Sequence, residues 1–371
     1  MTRVIGLALG NELCHHQDMI TMSEVARRAG VARSTVSHVL SARHGGNVRI
    51  PEATRQRVLQ AARELGYRPN ALARSVRTGK SRMIGYLVDD PRYEPYWNTI
   101  IGALGEAERE GFTLKLLSVT DETLEQRIEQ CIELRLSGLI VRVSQDKRPL
   151  FEEADRAGIP VVTVDESDPQ PFGLRVAADD ALGIREALAH LAGLGHHRIA
   201  FISSGFHRQR DPQRTPPREA MFRAEMAARG LDVPEGRVTY ETMLVYGREA
   251  GIGLGASTVL AATDALLEHP DGRPTAIFCW RDETALVALR ACRLQGLRVP
   301  EDISVVGFSD IIAARLSDPP LTTCQSPWEE MGRTAMRRLI HAQGEEFNPS
   351  PRAILIPSGL AVRQSSGPNP E

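Results

Sequence analysis

From Met83 onward, short apolar runs alternate with longer amphipathic segments, and this alternation constrains the fold more than any other feature of the chain. Strands are predicted at 83–88, 114–119, 138–141, 159–164, 199–203, 276–279 and 303–307. Helices are predicted at about 97–110, 124–136, 181–194, 218–229 and 283–294. A strand–helix–strand rhythm favours parallel sheets covered by helices. This rhythm occurs twice, and the second occurrence begins after Asp179. The chain is therefore predicted to form an α/β body of two lobes, each a doubly wound parallel sheet.

The charge of the chain is unevenly distributed. Residues 20–82 hold 13 Lys and Arg residues against three acidic ones, a net charge of +10, although the whole chain has a net charge of −2. A basic segment on an acidic body indicates a polyanionic partner for that segment alone. The alternative interpretation is an Arg-rich helical surface exposed to solvent.

The basic segment has the pattern of a small all-α, helix-turn-helix headpiece. Thr21 and Glu24 have capping-box spacing, which predicts the start of a helix that ends at Gly30. A second helix is predicted over 32–40 and a third from Pro51 to about Gly66. On the second helix, polar side chains that can reach base edges in a major groove lie opposite the apolar positions. These polar residues are Arg33, Ser34, Ser37 and His38.

Several classes of protein are disfavoured by the composition. The 371 residues are 42% hydrophobic, as in soluble globular proteins, and no apolar run reaches 18 residues, so no membrane partner is expected. Five scattered cysteines without CxxC spacing argue against disulfides and a zinc site, and favour a reducing cytoplasm. Neither a nucleophile elbow, a phosphate-binding loop nor a metalloprotease motif occurs, so we expect no enzyme, no metal and no cofactor.

The chain resembles the lactose-repressor (LacI/GalR) family of bacterial transcription regulators. The resemblance rests first on Ser23-Glu24-Val25-Ala26, Ala29-Gly30-Val31, Ser34-Thr35-Val36-Ser37, Gly66-Tyr67, Pro69-Asn70 and Ala73-Arg74. It continues through Gly195-His196, Val299 to Phe308, and Pro320-Leu321-Thr322-Thr323. It implies a periplasmic-binding-protein-like body with an effector in the cleft between the lobes, and a hinge helix that follows the headpiece and inserts into the minor groove.

The resemblance also implies which residues contact DNA. The candidates are Thr21, Arg33, Ser34, Thr35, Ser37, His38, Asn70, Ala73, Arg74 and Val76. His38 stands where the family very often has Arg, Ala32 where it often has Ser, and Val76 where a Leu wedge is usual. The loop at 41–50 is several residues longer than usual. DNA binding is therefore expected, but the operator sequence cannot be carried over.

We predict the following domain boundaries. Residues 1–19 form a disordered N-terminal extension, 20–68 the helix-turn-helix domain, and 69–80 the hinge helix or linker. Residues 81–364 form the effector-binding and dimerisation domain, followed by a disordered tail at 365–371. Within the body, the first lobe comprises about 81–176 and 308–330, and the second about 177–307 and 331–364.

Candidate effector-binding residues follow from the family positions in the cleft. They are Tyr96, Trp97, Arg142, Asp179, Arg218, Trp280, Arg281, Ser309 and Trp328. A guanidinium such as that of Arg218 suits vicinal hydroxyls or a carboxylate, and aromatic rings suit sugar C–H faces. Several of these residues have alternative interpretations: Asp179 can be a helix cap, Arg218 can belong to an Arg-rich loop exposed to solvent, and the aromatic residues can be core or interlobe packing.

Two departures in the cleft concern its charge. Arg281 stands where the family usually has Asn, and Ser309 where it usually has Asp, which makes the cleft more positive. These two departures add two units of positive charge relative to the common pattern, and Arg142, after the third strand of the first lobe, adds a third. An anionic effector, such as a sugar acid or sugar phosphate, is one hypothesis. The competing one is that Arg281 pairs internally with Asp282 or Glu283.

Together these features predict a sequence-specific DNA-binding transcriptional repressor in the cytoplasm, switched by a small, carbohydrate-like effector. The C-terminal segment lacks the Leu heptad of the tetrameric family members, so a homodimer on a pseudo-palindromic double-stranded operator is expected. The alternative is a solute-binding or sugar-sensing protein without operator-specific DNA binding. Whether the effector induces or corepresses is left open.

Overall fold

A computed structural model describes residues 20–41, 50–68, 81–120, 122–143, 148–165, 173–205, 213, 215–241, 256–342 and 352–371. The chain forms two compact units that divide between Gly79 and Lys80. The predicted extension at 1–19, most of the 41–50 loop and the hinge at 69–80 lie outside the described residues.

The first unit contains the three predicted helices. They are α1 (Met22–Ala29), α2 (Arg33–Ser41) and α3 (Glu52–Glu64). Gly30 ends α1 in the left-handed conformation, with φ of 64°, and this allows α2 to begin three residues later. The helices pack around Val25, Val36 and Val58, which are completely buried. An ion pair between Arg28 and Glu64, 2.6 Å apart, also links α1 to α3.

The second unit begins with a six-stranded sheet whose described strands are all parallel. Its strand order is β11-β5-β4-β3-β1-β2. The strands are β1 (Met83–Val88), β2 (Thr113–Ser118), β3 (Leu139–Arg142), β4 (Val161–Val164), β5 (Leu174–Asp179) and β11 (Ala353–Pro357). The helices of this lobe are α4 (Glu94–Glu110), α5 (Leu124–Glu133), α6 (Arg148–Arg156) and α12 (Trp328–His341). Apolar clusters on both faces bury the strands, as the near-continuous apolar runs predict.

A second six-stranded sheet has the order β12-β10-β9-β8-β6-β7. Its strands are β6 (Ile199–Ser204), β7 (Val238–Glu241), β8 (Ala276–Cys279), β9 (Ser304–Ser309), β10 (Thr322–Gln325) and β12 (Gly359–Ala361). Its helices are α7 (Asp180–Gly193), α8 (Pro217–Ala228), α9 (Ala256–Leu267), α10 (Asp282–Leu294) and α11 (Ile312–Leu316). The edge strand β12 runs antiparallel to β10, so this sheet is not purely parallel as predicted.

The chain passes between the two lobes three times, and this corrects the predicted lobe boundaries. It crosses from β5 into α7, from β10 into α12, and from β11 into β12. Residues 308–325 were predicted in the first lobe but belong to the second sheet. Conversely, residues 331–341 of α12 and the strand β11 were predicted in the second lobe but pack in the first. The error arose because each sheet recruits strands distant in sequence, which local alternation does not indicate.

Helices α4 and α12 pack against each other at unusually close range. A Cβ on Gly102 would overlap the backbone carbonyl of Glu329, and one on Gly332 would overlap that of Thr99. Only glycine permits this approach of two backbones. The contact holds the returning helix α12 on the first lobe, immediately after the chain has crossed from the second.

No helix in the described part of the chain combines the length and the apolar character needed to cross a membrane. Among the same residues, no group of three or more His, Cys, Asp and Glu side chains is arranged to hold a metal ion. The cysteines described, Cys131, Cys279, Cys292 and Cys324, are buried and free.

Residues 365–371 are ordered against the second lobe, so the prediction of a disordered tail is wrong. Ser365 donates from Oγ to the carbonyl of Val305 at 2.6 Å, and Gly367 accepts a hydrogen bond from the buried ring of His196 at 2.9 Å. Asn369 donates its backbone N–H to Leu194 at 2.8 Å. The polar Ser-Gly-Pro composition suggested disorder, but here it supplies partners for polar groups at the sheet edge.

Deletion of residues 365–371 should lower the free energy of unfolding by about 2–4 kcal/mol, because His196 and Ser304 lose buried hydrogen-bond partners. Urea unfolding measures this change. Deletion of Pro370 and Glu371 alone is the control, since among the described contacts it removes an exposed ion pair with Arg198 and an exposed hydrogen bond to Asn369, and should cost less than about 1 kcal/mol. Equal stability of both truncated proteins would contradict the assignment.

Candidate functional site

Helix α2 presents the polar face predicted from the sequence. Arg33, Ser34 and His38 are exposed, whereas Val36 and Val39 are buried in the three-helix core. The remaining candidates on this helix, Thr35 and Ser37, are half-buried. An exposed polar ridge on the second helix of a helix-turn-helix has the side chains needed to read base edges.

Thr21 forms the predicted capping box with Glu24. Its hydroxyl accepts a hydrogen bond from the backbone N–H of Glu24 at 3.4 Å, and its own backbone N–H donates to the Glu24 carboxylate at 2.7 Å. The hydrogen bond from this backbone N–H lowers the pKa of Glu24 below its ordinary value. Thr21 therefore fixes the start of α1. The other DNA-binding candidates, Asn70, Ala73, Arg74 and Val76, lie outside the described residues.

In the first lobe, Arg142 and Tyr96 come together at the carboxyl edge of the sheet. Arg142 ends β3, and its guanidinium lies 4.1 Å from the centroid of the Tyr96 ring and donates a hydrogen bond to the Tyr96 hydroxyl. The same guanidinium lies 3.3 Å from the carboxylate of Asp165, which follows β4. Burial, the largest influence, raises the pKa of the Tyr96 hydroxyl above its ordinary value.

In the second lobe, Arg218 is held at the start of α8 by three neighbours. Its Nε donates to the carboxylate of Asp180 at 2.8 Å and its Nη1 to the carbonyl of Trp280 at 2.7 Å. The guanidinium also stacks on the Phe308 ring, 3.8 Å from its centroid. These contacts place the predicted cleft arginine at the carboxyl ends of β8 and β9, where open α/β sheets bind ligands.

Arg281 pairs internally, but with a partner that the sequence did not indicate. Its Nη2 donates to the Glu241 carboxylate at 2.7 Å, and this carboxylate also accepts a hydrogen bond from Thr284. The Arg281 and Glu241 side chains are only 9% and 1% exposed, so they form a buried ion pair. Each of the three cleft arginines thus has a carboxylate partner, and the arginine count does not give the cleft an excess of positive charge.

Of the four remaining predicted effector residues, Asp179, Ser309 and Trp328 make structural contacts, and Trp97 is exposed. Asp179 caps α7 by accepting from the backbone N–H of Leu182 at 3.0 Å, the alternative noted above. Trp328 donates its Nε1–H to the carbonyl of Ser309 at 3.0 Å, and this bond links the two lobes. Ser309 has a φ of 129°, a strained conformation that turns its carbonyl towards Trp328. Trp97 is 47% exposed on the outer surface of α4.

Sequence reasoning missed two residues that meet between the lobes, Tyr93 and Glu283. Tyr93 precedes α4 in the first lobe and lies close enough to Glu283, on α10 of the second lobe, for the two side chains to interact. The Tyr93 and Tyr96 rings pack edge to face with centroids 4.7 Å apart. The position of Tyr93 after the first predicted strand could have indicated a residue near the carboxyl edge of the sheet. Glu283 looked like an ordinary acidic residue in the first turn of a helix.

Both units are similar to known protein families. Residues 21–70 match the family model "Bacterial regulatory proteins, lacI family", and residues 188–366 match the model of a periplasmic binding protein-like domain. The HTH-type transcriptional repressor PurR of Vibrio atlanticus (strain LGP32) is 32% identical over 87% of this chain and 91% of its own length. The chain belongs to the lacI family of bacterial regulatory proteins.

Other members of the lacI family show the same similarity. The ribose operon repressor of Escherichia coli (strain K12) is 31% identical over 87% of this chain and 93% of its own length. The Lac repressor dimer bound to operator and the anti-inducer ONPF superposes with a TM-score of 0.74 at 25% identity, covering 94% of this chain and 99% of that one. The transcriptional regulator CelR in complex with cellobiose superposes with a TM-score of 0.63 at 28% identity, covering 93% of this chain and 99% of that one.

Replacing Glu241 by Gln should lower the free energy of unfolding by about 3–5 kcal/mol, because the buried Arg281 guanidinium would lose its counter-charge. The double variant E241Q/R281M should recover most of this loss, since neither charge remains. The exposed pair Glu329–Arg333 provides the control: E329Q should cost less than about 1 kcal/mol. Urea unfolding measures the free energy of unfolding of E241Q, E241Q/R281M and E329Q. An equal loss in E241Q and E329Q would contradict a stabilising role of the buried pair.

Replacing Asp282 by Asn should change how stability depends on pH. Burial raises the pKa of the Asp282 carboxyl to about 7, against about 4 in an unfolded chain. Between these values the folded protein holds a proton that the unfolded chain has lost, so the free energy of unfolding falls as pH rises. The Asn amide can still pair with Ile311 and Thr323, the present partners of Asp282.

The measurement is urea unfolding of the wild type and D282N at pH 5 and pH 8. The wild type should lose stability relative to D282N at the higher pH. The pKa of His196, lowered mainly by burial, acts in the opposite direction, since its loss of stability comes as pH falls below about 6.5. This contribution is the same in both proteins and cancels in the comparison. An unchanged difference between them would show that Asp282 is ionised throughout.

Proposed function

We propose that this protein is a transcriptional repressor that binds a specific double-stranded operator and is switched by a small molecule in the cleft between its lobes. The observation that carries the proposal is the exposed polar face of α2 on a helix-turn-helix, in a chain whose second unit has the two-lobed body of effector-binding regulators. An effector that binds the open and closed arrangements of the lobes with different affinity shifts the population between them. Operator affinity follows that shift.

The effector is a neutral, hydroxyl-rich molecule of the carbohydrate class. Arg142, Arg218 and Arg281 are already paired with Asp165, Asp180 and Glu241, so an anion would have to compete with these carboxylates. Related proteins support the same class: one relative is a ribose operon repressor, and CelR was solved as a complex with cellobiose. The anionic effector considered from the sequence is therefore less well supported.

The functional unit is a homodimer on a pseudo-palindromic operator. Exposed apolar side chains on α4 and α11 provide the surface for the second copy: Trp97, Ile101, Leu104, Ile312 and Leu316. The two helices adjoin, since the backbone N–H of Ile312 donates to the Glu94 carboxylate at 2.8 Å, and so the apolar surface continues from one lobe to the other. The similar Lac repressor was solved as a dimer bound to operator.

The protein acts in the cytoplasm and does not catalyse a reaction. Its relatives are repressors, and the polar residues of the cleft are paired in ways suited to binding rather than to nucleophilic attack. The alternative, a solute-binding protein with the same body, does not account for the basic helix-turn-helix.

Operator selection from random double-stranded DNA tests the proposal. The full-length protein should enrich a pseudo-palindromic site. R33A and H38A should each weaken binding to that site about tenfold or more, with a smaller effect on unrelated DNA, because base contacts supply discrimination between sequences. Electrophoretic mobility shift at fixed salt gives the affinities.

The control is Q60A, which changes an exposed residue of α3 whose amide contacts only Glu64 in the described residues. It should bind the selected site as the wild type does. The proposal of an operator-specific repressor is wrong if no sequence is enriched and if the wild type, R33A, H38A and Q60A bind every DNA equally.

A further inference from the structure

Two buried polar atoms lie close together in sequence at the start of α10, where the second lobe meets the first. Trp280 directly follows β8, and Glu283 lies in the first turn of α10. The indole Nε1–H of Trp280 and the Oε2 of Glu283 are both buried and have no hydrogen-bond partner in the described part of the chain. One is a donor and the other an acceptor.

The contacts of Trp280 leave its indole N–H as the group that a ligand can reach by a hydrogen bond. Arg281 lies over the ring, 4.7 Å from its centroid, so stacking of a sugar on that face is blocked. The backbone of Trp280 is fixed on both sides: its N–H donates to Ile202 at 3.0 Å, and its carbonyl accepts from Arg218 at 2.7 Å. The Trp280 residue is therefore held in place, while its indole N–H has no partner among the described residues.

Glu283 is held from the opposite lobe. Tyr93 of the first lobe and Arg281 both lie near enough to its carboxylate to interact with its charge. Burial nevertheless raises the pKa of the Glu283 carboxyl above its ordinary value, so these partners do not fully compensate for the loss of water. A further hydrogen bond from a ligand to Oε2 would stabilise the carboxylate.

An unpaired buried donor or acceptor is costly, so the pair favours a ligand that satisfies both. A hydroxyl group does so, because it accepts from an N–H and donates to a carboxylate. A phosphate or carboxylate has no proton to donate to Glu283 and would be repelled by its charge. An ammonium group could donate to Glu283 but could not accept from Trp280.

We propose that the Trp280 indole N–H and the Glu283 carboxylate together bind one hydroxyl group of a neutral polyol effector. Glu283 is the specificity-determining residue, since it rejects anionic ligands, and its proximity to Tyr93 brings the bound hydroxyl next to the first lobe. This proposal rests on the proposed function, because it names the ligand class of the same cleft.

Isothermal titration of the full-length protein tests it with D-ribose, D-glucose and cellobiose as neutral probes, and with D-ribose 5-phosphate and D-gluconate as anionic ones. At least one neutral probe should bind with a Kd below about 1 mM, and the anionic probes should not. W280F removes the N–H and keeps an apolar ring, while E283M removes the carboxylate and keeps a similar volume. Each of these two variants should bind the neutral probe about tenfold more weakly than the wild type, because each loses one hydrogen bond to the ligand.

E268M is the matched control for E283M, because Glu268 is exposed beyond the end of α9; its affinity should equal that of the wild type. A deoxy derivative of the bound sugar adds a second comparison. Removing the hydroxyl that Trp280 contacts should weaken binding to the wild type but cause no further loss in W280F, since the two changes break the same interaction.

Three results would overturn the proposal: equal affinity of the bound sugar for the wild type and both variants, binding of anionic probes only, or no neutral probe bound below about 1 mM. Operator binding by the ligand-free protein separates this failure from that of the proposed function. A protein that binds its selected operator but fails these titrations remains a repressor with a different effector class.

Discussion

The three crossings of the chain between its two sheets are the constraint on which the rest of the second unit depends. They join the two sheets, whose carboxyl edges carry candidate effector residues, through three connecting segments, and the close contact of α4 with α12 through Gly102 and Gly332 fixes the returning helix on the first lobe. Trp328 lies at one crossing and donates to Ser309 of the second lobe. A ligand bound between the edges therefore acts on a small number of connecting segments, as a two-state switch requires.

Within the cleft, charge pairing determines what can bind. Every arginine that the sequence placed there has a carboxylate partner, and Glu283 adds a buried carboxylate that faces Tyr93 of the other lobe. Buried ion pairs contribute little net stability, but they fix the positions of the groups that line a site. A neutral ligand with several hydroxyl groups fits such a lining better than an anion, because it can both donate and accept.

The sequence predicted local structure well and long-range relations poorly. Strand β8 and the capping box of Thr21 with Glu24 were predicted correctly, because each depends on a few consecutive residues. The assignment of α12 to a lobe was wrong, since it depends on which distant strand each segment joins. The partner of Arg281 was missed for the same reason: Glu241 lies on another strand, far away in the sequence. The order of the tail at 365–371 likewise depends on His196 and Ser304, which composition does not reveal.

The most direct test of a ligand-switched repressor is fluorescence anisotropy of a labelled operator duplex, titrated with the full-length protein in the presence and absence of a saturating neutral sugar. We expect the operator Kd to change at least about tenfold, within the usual range of coupling between two sites. An increase would identify an inducer, and a decrease a corepressor. An unchanged Kd, with the sugar shown by titration to be bound, would contradict a switch operated from the cleft.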